Sequence, residues 1–258
     1  MANVTDWLSF VTGTTSGLGR ALAQELLRRG WEVIGMARRP SAINHEKYHH
    51  LQLDLGEIGS IQSSFQQVGN TLQLAKRQRV GLVNNAASPG QFGALEALEP
   101  SALLRLYAVN VVAPVWLMGF LIRTCRSSSA LRIVNLSSGA AVRPFPGLGA
   151  YGSSKAALRM AGMVLGAELG STTRPGERPS DLAILSYEPG LVDTDMQATA
   201  RSRSPEEFPW VDQFRAFAEA GQLVAPEAVV VEIADFLEAD RCPLFIERRF
   251  GVGPSGSG

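Results

Sequence analysis

Cysteine, histidine and surplus charge are all scarce in this chain. Its 258 residues include two cysteines and three histidines. Two thiols, Cys125 and Cys242, cannot build the disulfide framework that holds small secreted domains together. Both sit in apolar stretches and are expected as reduced thiols. No metal site is expected. Lys and Arg number 24 and so do Asp and Glu, for a formal net charge of zero. A balanced chain has no general attraction for nucleic acid or another polyanion. The opening Met1–Asp6 lacks a basic n-region and an apolar h-region, so no signal peptide is expected. The apolar run Val109 to Ile122 is short for a bilayer and carries Pro114, so no membrane association is expected. A soluble, cytoplasmic chain is the expectation.

What is present is an alternation of strand-like and helix-like segments. Hydrophobic residues make up 45% of the chain and charged residues 19%, a globular composition. Strands are expected at Leu8–Thr12, Glu32–Ala37, His50–Asp54, Val80–Asn84, Leu131–Leu136, Asp181–Glu188 and Leu244–Glu247. Helices are expected at Leu18–Arg29, Ser60–Lys76, Ser101–Arg126, Tyr151–Leu169 and Pro226–Ala239. Such alternation predicts an α/β fold, a doubly wound parallel sheet of about seven strands with helices on both faces. No internal repeat interrupts it, and residues 1–250 read as a single domain. The polar stretch Ser171–Pro179 reads as a surface excursion, and 251–258 as a flexible tail.

Two places carry chemistry. After the strand Leu8-Ser9-Phe10-Val11 comes Thr12-Gly13-Thr14-Thr15-Ser16-Gly17-Leu18-Gly19, then a helical stretch. A glycine-rich turn between strand and helix lets backbone N–H groups approach a phosphate, and the helix dipole adds to the attraction. The spacing is Gly-x-x-x-Gly-x-Gly, and its strand–turn–helix context points to a dinucleotide. Thr14, Thr15 and Ser16 could donate hydroxyl bonds to phosphate. An acidic residue at the end of the second strand would hold the 2′-hydroxyl of NAD. The chain has Arg38 and Arg39 there instead. Guanidinium pairs with a 2′-phosphate, so NADP(H) is the expected cofactor.

Farther on, Tyr151 and Lys155 stand four apart in Tyr-Gly-Ser-Ser-Lys, about one helical turn, with Ser138 thirteen residues before the tyrosine. An ordinary phenol, with a pKa of about 10, is a poor acid or base at neutral pH. An ammonium beside it would pull that pKa down. A serine hydroxyl can hold a carbonyl or alcohol oxygen at the same place. Ser137 is a rival to Ser138 for that role.

Taken together, these motifs resemble the short-chain dehydrogenase/reductase family. The matches include Gly13, Gly17 and Gly19, Asp54-Leu55, Asn84-Asn85-Ala86-Ala87, Asn110 in a long helix, and Ile133-Val134-Asn135-Leu136-Ser137-Ser138. They continue through Tyr151-x-x-x-Lys155 to Pro189-Gly190-Leu191-Val192-Asp193-Thr194. Ala87 departs from the family's usual glycine. The resemblance implies an oxidoreductase in which Tyr151 is the general acid and Ser138 polarises the reacting oxygen. Lys155 would tune the tyrosine and grip the nicotinamide ribose, and Asn110 would position a proton-relay water. It also places Thr15, Ser16, Leu18, Asp54, Leu55, Asn84, Ala86, Pro189, Gly190, Val192 and Thr194 on the cofactor, with Asp54 at the adenine. Asp54 has a second reading as a turn cap, and Asn110 as an internally satisfied helix residue.

The resemblance implies that 191–223 covers the substrate, with Met196, Phe208, Trp210, Phe214 and Phe217 as apolar contacts. Met196 and Trp210 are the leading substrate candidates there. Several stretches resemble the sepiapterin reductase and benzil reductase branch, among them Asn84–Gly90, Arg143–Gly147 and Glu188–Gln197. That likeness implies NADPH-dependent reduction of a small carbonyl substrate. It also singles out Glu247 as a carboxylate for a pterin edge, with pairing to a surface arginine as the alternative. A 3-oxoacyl thioester or a sugar remains open as substrate, as does a non-catalytic NADP-binding role. The family's habit implies a homodimer or homotetramer formed through Ser101–Arg126 and Tyr151–Leu169.

Overall fold

The computed structural model describes residues 6–125, 129–171, 179 and 181–252. The expected tail beyond Val252, most of the polar stretch 171–179 and most of the opening hexapeptide lie outside the described residues.

Seven parallel strands form one sheet. They are β1 (Trp7–Thr12), β2 (Glu32–Ala37), β3 (Tyr48–Gln52), β4 (Arg79–Asn84), β5 (Ala130–Leu136), β6 (Asp181–Glu188) and β7 (Phe245–Arg249), in the order β3-β2-β1-β4-β5-β6-β7. β4 is buried at every position, and β1, β5 and β6 nearly so, because helices cover both faces. One face carries α2 (Ile58–Thr71), α4 (Ala113–Thr124) and α5 (Gly149–Ser171), and the other α1 (Gly17–Arg28) and α8 (Pro226–Glu238). α3 (Pro100–Tyr107) leads into α4, while α6 (Asp195–Arg201) and α7 (Val211–Glu219) follow β6. The doubly wound parallel sheet is therefore as the alternation implied.

Differences from the expected boundaries have local causes. β3 begins and ends two residues before the expected His50–Asp54, because its ladder with β2 runs from Val33↔Tyr48 to Ala37↔Gln52. Asp54 leaves the ladder, and its Oδ1 accepts from the Gly56 N–H at 2.8 Å. α2 stops at Thr71, and Gln73 takes a left-handed φ of 48° before a short 3-10 turn, Leu74–Lys76. The expected helix Ser101–Arg126 is broken by a π turn at Ala108–Val112. Proline at 114 has no N–H for the carbonyl four residues earlier, that of Asn110, so the ladder widens there.

That run corrects one expectation. Pro100–Thr124 is 25 residues of helix, long and apolar enough by length and composition to cross a membrane. Its Ala113, Leu117, Met118 and Leu121 are instead packed in the core against the sheet. The segment 191–223, read only as a cover, holds α6 and α7. Ala200, Phe208 and Val211 make a small core with Phe92.

The adjacent ends of β1 and β4 are tied by Thr12. Its buried hydroxyl oxygen accepts from the N–H groups of Asn85 and Ala86 at 2.9 and 2.8 Å. Asn85 Nδ2 donates back to the Thr12 carbonyl at 2.8 Å. β1 and β4 are also where the strand order reverses, so this seam sits at the topological switch point. Thr12→Val keeps the shape but leaves the Ala86 N–H without an acceptor, while the Asn85 N–H keeps only the Val83 carbonyl at 3.0 Å. We expect a loss of about 2 kcal/mol, read as a melting temperature lower by roughly 4–8 °C. An unchanged melting temperature would show that the seam is not held by this hydroxyl.

Candidate active site

A cavity of about 640 Å3 opens at the carboxyl ends of the strands and runs across the switch point. Three groups of side chains define it: a glycine cradle, a pair of arginines and a hydroxyl–phenol–ammonium wall.

The cradle joins β1 to α1. Gly13 and Gly17 hold φ of +76° and +52°, left-handed values that suit glycine. A Cβ at Gly19 would lie 2.2 Å from the Gly13 carbonyl oxygen, so this glycine lets the helix close onto the turn without itself lining the cavity. Ser16 caps α1 without a side-chain cap bond, and no acidic residue stands in the helix's first turn. Its hydroxyl, that of Thr15 and the helix N-terminus thus face the cavity. The bare backbone, free hydroxyls and positive helix end fit a pyrophosphate. Thr14 turns inward, with Oγ1 2.9 Å from the Tyr48 hydroxyl.

Arg38 and Arg39 follow β2 and line the same end. Arg39 Nη2 donates a long 3.5 Å bond to Thr15 Oγ1. Asp54 stands opposite and also takes a 2.8 Å ion pair from Arg105, a cavity residue the sequence reading missed. Burial raises the Asp54 pKa, but the Gly56 N–H and the Arg105 guanidinium outweigh it and leave the carboxyl below its ordinary value. Asp54 thus caps a turn, the second of its two readings, and it also borders the cavity. Leu18, Leu55, Ala86, Pro189, Gly190, Val192 and Thr194 line the cavity. Asn84 does not. Its Nδ2 donates to Asn135 Oδ1 at 2.8 Å inside the sheet, because it is the last residue of β4 and fully buried.

Ser138, Tyr151 and Lys155 meet on the far wall. Ser138 caps a 3-10 turn, Gly139–Ala141, and its Oγ accepts from the Ala140 N–H at 3.2 Å. Tyr151 and Lys155 project from the first turns of α5. Lys155 Nζ donates to the Leu136 carbonyl at 2.6 Å and lies 5.8 Å from the centre of the Tyr151 ring. Burial draws the Lys155 ammonium down to about 8. Burial likewise pushes the Tyr151 phenol up to about 12, against a lowering hydrogen bond with Ser138. The expected lowering of the phenol by the ammonium is thus not what sets its protonation here, since desolvation dominates. Tyr151 is a neutral phenol across the physiological range, poised to give a proton.

Asn110 lies in the π turn behind this wall, outside the cavity lining. Its Oδ1 accepts from the Ser88 N–H at 2.8 Å, and its Nδ2 donates to the Ser88 carbonyl and to Ser154 Oγ at 2.9 and 3.0 Å. Both amide hydrogens are spent, so the side chain ties the 84–90 loop to α5 and has none left to give a water.

The substrate candidates divide. Met196 lines the cavity. Trp210 does not, and stacks edge-on against Phe145, which does. Of the two readings of Glu247 the arginine pairing holds and the pterin contact is corrected: it lies outside the cavity, held by both carboxylate oxygens to Arg159 of α5 at 2.6 and 2.7 Å. Glu188, by contrast, does line the cavity, with Arg143 and Arg249 beside it. The Glu188↔Arg249 register signals that pairing, and registry is not visible in the chain.

A family model, short chain dehydrogenase, matches residues 8–205. A benzil reductase ((S)-benzoin forming) of Bacillus subtilis is 31% identical over 232 residues, covering 90% of this chain and 93% of that protein. The sepiapterin reductase of Bos taurus is 32% identical over 219 residues, covering 76% and 77%. Among solved structures, a short chain dehydrogenase/reductase from Saccharomyces cerevisiae superposes with a TM-score of 0.78 at 24% identity, over 93% of this chain and 95% of that one.

Lys155 has an ordinary pKa of 10.5 and a folded value of about 8. Between these the unfolded chain binds more protons, so stability rises with pH from about 8 towards about 10.5. Tyr151, raised from 10.0 to about 12, works the other way only above its ordinary value. Lys155→Met should therefore lose the rise and melt about 3 °C above the parent at pH 7. Thermal melts at pH 7 and 9.5 without added nucleotide read this. An identical pH dependence in both proteins would refute it.

Proposed function

The chain belongs to the short chain dehydrogenase family, and from that premise we propose that it is an NADPH-dependent carbonyl reductase of ketones or vicinal dicarbonyls, benzil-like or sepiapterin-like. The observation that carries this reading is the meeting of Ser138, Tyr151 and Lys155 on one wall of a cavity whose other end is the glycine cradle. A nicotinamide dinucleotide, when bound, supplies the hydride. The chain's residues supply the rest. Tyr151 gives its proton to the substrate oxygen as negative charge develops there. The Ser138 hydroxyl, whose oxygen already accepts from Ala140, keeps its own hydrogen for that oxygen or for Tyr151. Lys155 carries positive charge within the wall and favours charge separation at the phenol. Because Tyr151 stays protonated at neutral pH, it already carries the proton that reduction of a carbonyl requires.

Arg38 and Arg39 support NADP(H) over NAD(H). No carboxylate on that stretch opposes a 2′-phosphate, and Asp54 is engaged by Arg105. The names of the benzil and sepiapterin reductase relatives support a small carbonyl substrate. Phe145, Met196 and Phe214 on the cavity wall suit an apolar or aromatic body. We place the enzyme in the cytoplasm as a homodimer or homotetramer. Val112, Val115, Met160 and Val164 support the assembly, since they are apolar and exposed on the π turn, α4 and α5.

NADPH oxidation followed with benzil and with sepiapterin tests the activity. Tyr151→Phe should lower turnover of the accepted substrate by about 10³-fold while NADPH still binds. Turnover of neither substrate would remove the substrate assignment, and full activity in the variant would remove the mechanism. Arg38→Gln with Arg39→Gln should raise the KM for NADPH by about 30-fold and move that for NADH far less. Equal changes for both cofactors would overturn the NADP reading.

A further inference from the structure

One charged cluster in the cavity is not used by the chemistry above. Glu188, at the end of β6, has Oε1 3.8 Å from Arg143 Nη2 and 3.4 Å from Arg249 Nε. Among the described residues these long ion pairs are the closest polar contacts either guanidinium makes. Both arginine side chains are about half exposed, at 56% and 53%, while the carboxylate is 21% exposed. All three line the cavity. The cluster carries two positive charges and one negative, and neither guanidinium fork is filled.

Its position ties it to the reacting centre. A Cβ at Gly139 would lie 2.8 Å from Arg143 Nη2 and 3.2 Å from Glu188 Oε1. Gly139 directly follows Ser138, so the cluster hangs over the backbone beside the hydroxyl that holds the reacting oxygen. Net charge of plus one is completed by a monoanion. A dianion such as a phosphate would leave an excess negative charge against Glu188. A planar carboxylate also matches a guanidinium fork in shape.

We infer that Arg143 and Arg249, spaced by Glu188, form an anion subsite that selects 2-oxo monocarboxylates with an apolar or aromatic tail. This rests on the carbonyl reductase reading and names its substrate class. The carboxylate sits on the guanidinium pair, the adjacent carbonyl oxygen on Ser138 and Tyr151, and the tail against Phe145 and Phe214. The carbonyl carbon gains hydride from NADPH and its oxygen gains the Tyr151 proton. The product is a 2-hydroxycarboxylate with NADP+, and a proton from solvent restores the Tyr151 phenol.

Benzoylformate and benzil are matched probes, since a carboxylate in one replaces a benzoyl group in the other. The ratio of kcat/KM for benzoylformate to that for benzil should exceed one in the parent. It should fall by about 30-fold in Arg143→Met with Arg249→Met, through KM. Glu188→Gln should raise the ratio by removing the competing carboxylate. Turnover of benzil with no preference for benzoylformate, or a ratio unmoved by the double variant, overturns the subsite and leaves the reductase standing. Turnover of neither substrate overturns the reductase reading, and the subsite is then read by calorimetric titration of benzoylformate into the protein with NADP+. Binding lost in the double variant supports it, and binding absent or unchanged overturns it.

Discussion

Placing the ammonium of Lys155 in a wall with 2% of its surface exposed is the constraint on which the rest of the site depends. A buried ammonium is unfavourable unless it is hydrogen-bonded. The Leu136 carbonyl supplies that bond at 2.6 Å, from the last residue of β5. For it to do so, α5 must lie very close to the sheet. Small residues on its inner face allow this. A Cβ at Gly152 would sit 2.9 Å from the Ala140 carbonyl, and one at Gly166 would sit 2.9 Å from the Phe245 side chain. The close approach also brings Tyr151 against Ser138. The same burial that depresses the lysine raises the phenol, so one packing decision sets two protonation states.

The opposite end of the cavity is held by backbone geometry. Thr12 and Asn85 lace β1 to β4 where the strand order reverses, and the crevice there is open because the next connections leave in opposite directions. Asn110 extends this bracing through Ser88 to Ser154 on α5. Its amide joins the loop after β4 to the helix that carries Tyr151. Asn110 thereby acts as a positioning residue, linking the glycine-cradle side to the proton-donating side.

Much of this was legible in the chain because its signals are local. Strand–glycine turn–helix, Tyr-x-x-x-Lys and the two arginines after β2 each fall within a few residues. What escaped depends on contacts remote in sequence. Glu247 reads as either a cavity carboxylate or a surface ion pair until Arg159, 88 positions away, claims it. Glu188 reads only as the residue before Pro189-Gly190 until the register sets Arg249 beside it. The π turn follows from Pro114, a signal present in the sequence that helical periodicity obscures. The rise of the Tyr151 pKa could not be read at all, because desolvation is a property of the packed wall.

This division explains why the reaction is easier to infer than the substrate. The reacting groups are fixed by one helix, one strand end and one turn, and their spacing follows from helix geometry. The substrate end is assembled from three separate sources. Arg143 comes from the stretch after a 3-10 turn, Glu188 and Arg249 from neighbouring strand ends, and the aromatic surface from α7 and the loop before α5. Each source can change without disturbing the bond between Lys155 and Leu136 or the seam at Thr12. The chemistry is therefore rooted in the sheet, while the choice of molecule rests on half-exposed side chains that meet only once the sheet has formed.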